Sequence, residues 1–286
     1  MVRHLVGMSA ATVLIVACMF LPYLPGEYDG LAVALSSMSQ LFAMAGLLLV
    51  PLGAIWLAYE LRLRVTRGVT RPSRDLGYWF GLASIGALTM IAIVFAFGAF
   101  VSVGPSLGLG AIALWAYCAF RLAAKLKAMR NAEIRTFNWT PLYLIVLPLV
   151  AAIFMFTLLG PAAEFGRNRA IENSAALIGD IERYRDANGH YPRSLHAVWK
   201  DYKPSVIGVK QYHYEPNGDA YNVFFEHSSV RLGTREFVMY NKRDEHEMTS
   251  HAMDLLLLTP TELAAQRGYY AVHDTSSPHW KCFLFD

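Results

Sequence analysis

Five long apolar runs fill the first 163 residues, and shorter mixed helical and alternating patterns replace them afterwards. Residues 5–24 form an uncharged run of about the twenty residues that a helix needs to cross a bilayer core. Residues 31–59 form the second run, long enough to tilt, with Pro51 expected to bend it. Residues 78–103 and 105–120 are separated only by Gly104-Pro105, which predicts a helical hairpin, and Gly104, Gly108 and Gly110 are placed to permit close helix approach. Residues 141–163, carrying Pro148, are the fifth run. The pattern predicts five transmembrane helices.

The first run has two rival readings. Arg3 and His4 precede it, as a basic residue precedes the apolar core of a signal peptide, and Ile15-Val-Ala-Cys18 resembles a lipoprotein processing box. The run nevertheless continues through Met19, Phe20 and Leu21, and no small-x-small cleavage site follows. A retained helix is the reading adopted for residues 1–24, with a processed signal as the alternative.

Charge orients these runs. Residues 1–163 carry 11 basic and 5 acidic groups, a formal +6, whereas residues 164–286 carry 14 basic and 17 acidic, a formal −3. Arg62, Arg64, Arg67, Arg71 and Arg74 lie between the second and third runs, and Arg121, Lys125, Lys127, Arg130 and Arg135 between the fourth and fifth. Positive loops stay inside, so both face the cytoplasm, and the acidic connector with Glu27 and Asp29 lies outside. The expected location is therefore the inner membrane, multi-pass, with a cytoplasmic N-terminus and a periplasmic C-terminal domain. The basic excess flanks membrane segments, so the chain has no nucleic-acid surface to offer.

Residues 164–286 read as a water-soluble domain. Ala170, Ile171, Ser174, Leu177, Ile178, Ile181 and Tyr184 recur at helical spacing, so the fifth span is expected to continue as one long helix. Asn188-Gly189 ends it, with glycine as a left-handed cap and Pro192 barring resumption. Ser194 is a candidate cap for a short helix whose Leu195, Val198 and Tyr202 face the core. Strands follow at 210–215 and 220–227, joined across Pro216-Asn-Gly-Asp219, and at 235–241. Residues 241–250 read as a charged loop. Residues 253–258 are apolar, and Thr259-Pro-Thr-Glu262 opens a helix ending near Gly268. A hairpin of 269–273 with 279–285 closes the domain. The fold class is thus a membrane all-α helical region, 1–163, plus a C-terminal α+β domain, 164–286, with a long helix packed on an antiparallel sheet.

The helix ending in Tyr184-Arg-Asp-Ala-Asn-Gly-His-Tyr-Pro, then Ser194-Leu195, then the Tyr212-His-Tyr214 hairpin, resembles the pilin-like globular domain, closest to the major pseudopilin of type II secretion. The resemblance covers residues 163–225 and implies a helix-on-sheet fold and a role in envelope assembly. Departures accompany it. Prepilins carry a basic leader ending in glycine, then phenylalanine and a glutamate at the fifth position. Here the equivalent helix begins Thr140-Pro-Leu-Tyr-Leu-Ile-Val-Leu. The calcium-binding aspartates of the pseudopilin's late loop have no clear counterpart, although Asp244 and Glu245 lie in a loop.

No catalytic, cofactor-binding or metal residues are assigned. His246-Glu-Met-Thr-Ser-His251 spaces its histidines five apart, where a metalloprotease helix needs four, and reads as a solvated loop. His190, His213, His227, His273 and His279 lack paired metal-ligand spacing. Ser194 has His190 and His196 nearby but no glycine elbow. Tyr212, Tyr214, Tyr221, Phe225, Tyr240, Tyr269, Tyr270 and Trp280 fit either a sugar or peptide platform or a sheet core, and core packing is preferred. Cys18 and Cys118 sit in apolar runs, so Cys282 has no disulfide partner in its domain. It alternates with Trp280 and Leu284 as a small buried residue. Ionisable groups are absent from the middle of every span, which argues against ion-coupled transport and leaves an uncharged pore open. The expected partners are the lipid bilayer and an envelope protein or a second copy of the chain. The expected role is protein interaction or assembly at the cell envelope. The alternatives are a component of a secretion or pilus-type machine and a membrane enzyme or small-molecule sensor.

Overall fold

The computed structural model describes residues 2–65, 74–102, 104–131, 137–198, 200–229, 234–246 and 270–285. Seven helices come first: α1 (Val2–Phe20), α2 (Gly30–Gly46), α3 (Leu49–Val65), α4 (Arg74–Ser102), α5 (Pro105–Asn131), α6 (Thr140–Asn173) and α7 (Ala175–Asn188). Among the described residues five strands follow: β1 (His213–Asn217), β2 (Ala220–His227), β3 (Arg235–Asn241), β4 (Tyr270–Asp274) and β5 (Trp280–Phe285). The expected helix of 259–268 and the apolar segment 253–258 lie outside the described residues.

The chain divides into two compact units, one of Met1–Met19 with Ala34–Thr157, the other of Phe20–Val33 with Leu158–Asp286. Residues 20–33, the end of the first apolar run and the acidic connector, therefore belong with the C-terminal residues.

Among the described residues, four helices are long and apolar enough to cross a membrane, and a fifth span results if α2 and α3 count as one. Those two helices meet at 54°. The break at Leu47-Leu48 lies immediately before Pro51, whose ring excludes a continuous helix through the carbonyl of Leu47, four residues earlier. The basic segments are more helical than their polarity suggested. α3 continues through Glu60 and Arg62, and α5 through Arg121, Lys125, Lys127 and Arg130. Low hydropathy ends a span but not a helix, because Lys and Arg have high helix propensity.

α4 and α5 form the expected hairpin. Gly104 takes φ 139°, and a Cβ at Gly108 would lie 2.6 Å from the Phe100 Cβ and 2.8 Å from the Ala96 carbonyl. Close approach is thus a property of Gly108, whereas Gly104 and Gly110 face nothing within 4 Å. A second core joins Leu49 and Trp56 of α3 to Leu144 of α6, with Phe80 and Leu88 of α4 packed against it. Many large apolar side chains of this unit are exposed, among them Val13, Ile55, Phe97, Leu114 and Phe156.

In the second unit the helical period runs past the apolar span to Asn173, and α7 resumes after Ser174. The amides of Ser174 and Ile178 keep helical hydrogen bonds across that point, while the Ser174 hydroxyl donates to the Ile171 carbonyl at 2.6 Å. α7 ends as its sequence requires, with Gly189 at φ 79° and its amide on the Arg185 carbonyl. The expected short helix after Pro192 is a four-residue 3-10 turn, Leu195–Val198.

The strands form one antiparallel sheet in the order β1-β2-β3-β5-β4. β1 starts later than expected and absorbs Pro216 and Asn217. The turn shrinks to two residues, with Gly218 at φ 55°, the geometry that matches the right-handed strand twist. Pro216 is tolerated because β1 is an edge strand. Tyr221, Val223, Phe225, Val238, Trp280 and Cys282 project from one face and share a core with Ala170, Ile171, Leu177 and Ile181.

The connector joins this unit as a strap. Pro25 pairs with Val206 as an antiparallel bridge. The amide of Gly26 donates to Ser205 at 3.1 Å, that of Ile207 to Leu24 at 3.0 Å, that of Gly208 to Pro22 at 2.7 Å and that of Asp29 to Ile207 at 3.1 Å. Lys203 pairs with Glu27 at 3.1 Å.

Candidate functional site

Among the described residues, two places gather chemistry, one in each unit. The first is a cavity of about 500 Å3 among the helices of the first unit. α4 supplies Gly81, Ser84, Ile85 and Leu88, and α5 supplies Leu122, Lys125 and Leu126, both at the three- and four-residue spacing of a helix face. Trp56 of α3 closes one wall and Tyr143 and Leu144 of α6 another. In the same lining, the His4 ring stacks on Trp139 at 5.5 Å, and Phe137 meets Trp139 edge-on at 5.1 Å. The Tyr143 hydroxyl donates to the His4 carbonyl at 3.1 Å. Asn138 caps α6, its Oδ1 accepting from the Thr140 amide at 3.0 Å and hydroxyl at 2.8 Å. Glu60 stands behind the wall, accepting from Trp56 Nε1 at 3.3 Å.

The second is a buried polar group where helix, sheet and strap meet. Glu236 Oε1 accepts from Arg167 Nε at 3.0 Å and from the Cys282 thiol at 3.1 Å. His227 Nδ1 lies 3.3 Å from the same oxygen, outside hydrogen-bond geometry, and its ring sits 5.7 Å from that of Tyr23. The strand registers explain the convergence: His227 is opposite Glu236 across β2 and β3, and Cys282 lies one pair further along β5 on the same face. Burial alone would raise the Glu236 carboxyl. His227, the Arg167 guanidinium and the Cys282 thiol outweigh it and hold the group at about 2. Burial and the adjacent carboxylate push the Cys282 thiol up, so it stays protonated. A protonated, 2% exposed thiol is a poor nucleophile, and this arrangement serves packing and polar satisfaction rather than covalent catalysis.

The singled-out histidines do not converge. His190 rests against Tyr184, His213 stacks on Phe224, His279 contacts Asp244 at 3.2 Å, His273 is exposed and His227 is buried. Among the described residues no group of three or more His, Cys, Asp or Glu is arranged to hold a metal ion. Of the expected 241–250 loop, residues 241–246 are described. Lys242 to Glu245 are exposed, but His246 is buried against Phe283, and Asn241 is buried with its side chain bonded to Asn222. His251 lies outside the described residues, as does Tyr269. Ser194 is exposed.

The aromatic set is largely core. Tyr212, Tyr221, Phe225 and Trp280 are buried, with Tyr214 and Tyr240 packed against them. Their hydroxyls reach the helices and the corner: Tyr212 donates to the Ala170 carbonyl at 2.5 Å, Tyr214 to Pro192 at 2.6 Å and Tyr221 to Glu182 at 2.9 Å.

Sequence reading missed Glu236 and Arg167, and it took Cys282 for a purely apolar residue. A glutamate at an inward position of a strand was the available signal. Comparison with known proteins finds no matching family model, no matching curated protein and no matching solved structure.

Proposed function

We propose that this chain is an integral inner-membrane protein whose five spans display residues 164–286 outside the cytoplasm as a pilin-like domain for protein interaction or assembly at the envelope. The docked strap is the observation that carries the topology. Phe20–Val33 and Leu158–Asp286 form one compact unit, which supports putting the acidic connector and residues 164–286 on one side of a membrane. That requires an even number of crossings between Val33 and Leu158. α4, α5 and α6 supply three, and the bent α2–α3 pair, counted as one broken span, makes the fourth. The basic groups at the ends of α3 and α5 then set the orientation, with the strap and the C-terminal unit outside. Exposed apolar side chains along these helices suit a lipid surround.

The pilin-like reading rests on α7, its Gly189 cap, the Tyr191-Pro192 corner tied down by Tyr214, and the core that Leu177 and Ile181 share with strand residues. The exposed segment Lys242 to Glu245 offers both charge signs to a partner. A reporter fused after Asp286 should be active only outside the cytoplasm; activity confined to the cytoplasm overturns the topology. Photo-crosslinking from Arg243 in intact cells should trap one discrete envelope protein or a second copy. No protein adduct, with the topology upheld, would defeat the assembly role alone. The cavity in the first unit favours a second reading, a small-molecule sensor.

A further inference from the structure

We propose that the cavity of the first unit is a binding site for one anionic phospholipid of the cytoplasmic leaflet, with Lys125 on the headgroup phosphate and the acyl chain against the leucine-rich wall. The inference rests on the membrane reading above. Cavity size allows it: about 500 Å3 lies in the range of sites that hold a discrete ligand and takes a headgroup with part of one acyl chain, the rest of the lipid staying in the bilayer.

Polarity supports an amphiphile. Ile85, Leu88, Leu122, Leu126 and Leu144 make the lining largely apolar, while Lys125, Asn138 and Thr140 add a few polar groups to it. Sign supports an anion. Lys125 is the formally charged group of the lining, no Asp or Glu lines it among the described residues, and the capped N-terminal turn of α6 adds a positive dipole end. Place supports a lipid over a soluble ligand. The lining comes from the start of α1, α4 and α6 and the end of α3 and α5, which are the cytoplasmic ends in the five-span topology. Trp56, Trp139 and Tyr143 belong to the aromatic class that settles at headgroup level, and basic pockets between helices on that side recruit anionic lipids.

The test uses the intact protein, reconstituted in nanodiscs of phosphatidylcholine with phosphatidylglycerol and then analysed by native mass spectrometry. Wild type should release with one phosphatidylglycerol bound in preference to phosphatidylcholine. Lys125→Gln, at an exposed position, should retain about fivefold less, the loss expected of one near-surface cation. Lys127→Gln, outside the lining, should match wild type. Ser84→Phe fills the cavity and should lower retention of both lipids. Equal retention of the two lipids by wild type, equal losses in the two lysine variants, or full displacement by inorganic phosphate would overturn the site. Release of the protein from membranes by an alkaline wash would instead show that the membrane reading itself has failed.

Discussion

At Glu236 the Arg167 guanidinium and the Cys282 thiol share one carboxylate oxygen with His227 beside it, and the pH response of the C-terminal unit follows from that. The carboxyl is held at about 2 against an ordinary 4.5, so the folded state binds fewer protons than the unfolded chain between those values. Its contribution is complete above about pH 4.5 and is lost as pH falls toward 2, on the order of 3 kcal/mol in total. Denaturant unfolding of the intact protein should therefore show stability falling across that window, and Glu236→Gln should flatten the fall while lowering stability at neutral pH. A variant with the wild-type acid profile would remove Glu236 from this role. Cys282 gives a second prediction. In a background with Cys18→Ser and Cys118→Ser, its buried, protonated thiol should resist a maleimide in the folded protein and react fully once denatured. Rapid native labelling would contradict the burial.

At the scale of elements, close backbone approach decides what can be substituted. A Cβ at Gly208 would stand 2.7 Å from the Pro22 carbonyl and 2.8 Å from Ser228 Oγ, and the backbone on one side cannot yield as a flexible side chain does. Gly208→Ala should cost about 1–3 kcal/mol and open the strap to protease between Phe20 and Val33. Lys203→Ala, which removes only exposed ion pairs with Glu27 and Asp201, should leave proteolysis unchanged. The α4–α5 hairpin is tested in the same way. Gly108→Leu drives a side chain into Phe100 and the Ala96 carbonyl and should lower the melting temperature of the detergent-solubilised protein, whereas Gly110→Leu, which faces nothing within 4 Å, should not.

For the whole molecule, the paired strap and its redox compartment can be read together. Pro25 and Val206 are bridge partners, and Val206 is fully buried, so Pro25→Cys with Val206→Cys places two thiols across an antiparallel bridge. In growing cells these should oxidise to a disulfide, seen as two thiols lost to alkylation, because extracytoplasmic compartments sustain such bonds. Persistent free thiols in cells that oxidise readily after lysis would put the unit on the cytoplasmic side.

Five apolar runs, two basic segments, a helix stopped at Gly189 and a β2 strand over 220–227 were legible in the sequence, because hydropathy, charge and the φ of glycine act within a few residues. Pro51 likewise announced the break before it. The cavity was not legible, since its lining is drawn from five helices and no single stretch carries the pattern. Neither was the Glu236 group, whose members Arg167, His227 and Cys282 meet only through strand register and helix packing. The sequence by itself determined which segments are apolar and where helices and turns stop. Only the tertiary structure decided that an acidic connector near the N-terminus docks beside Val206, because backbone pairing between distant segments depends on the surfaces that packing brings together, and local propensity holds no record of them.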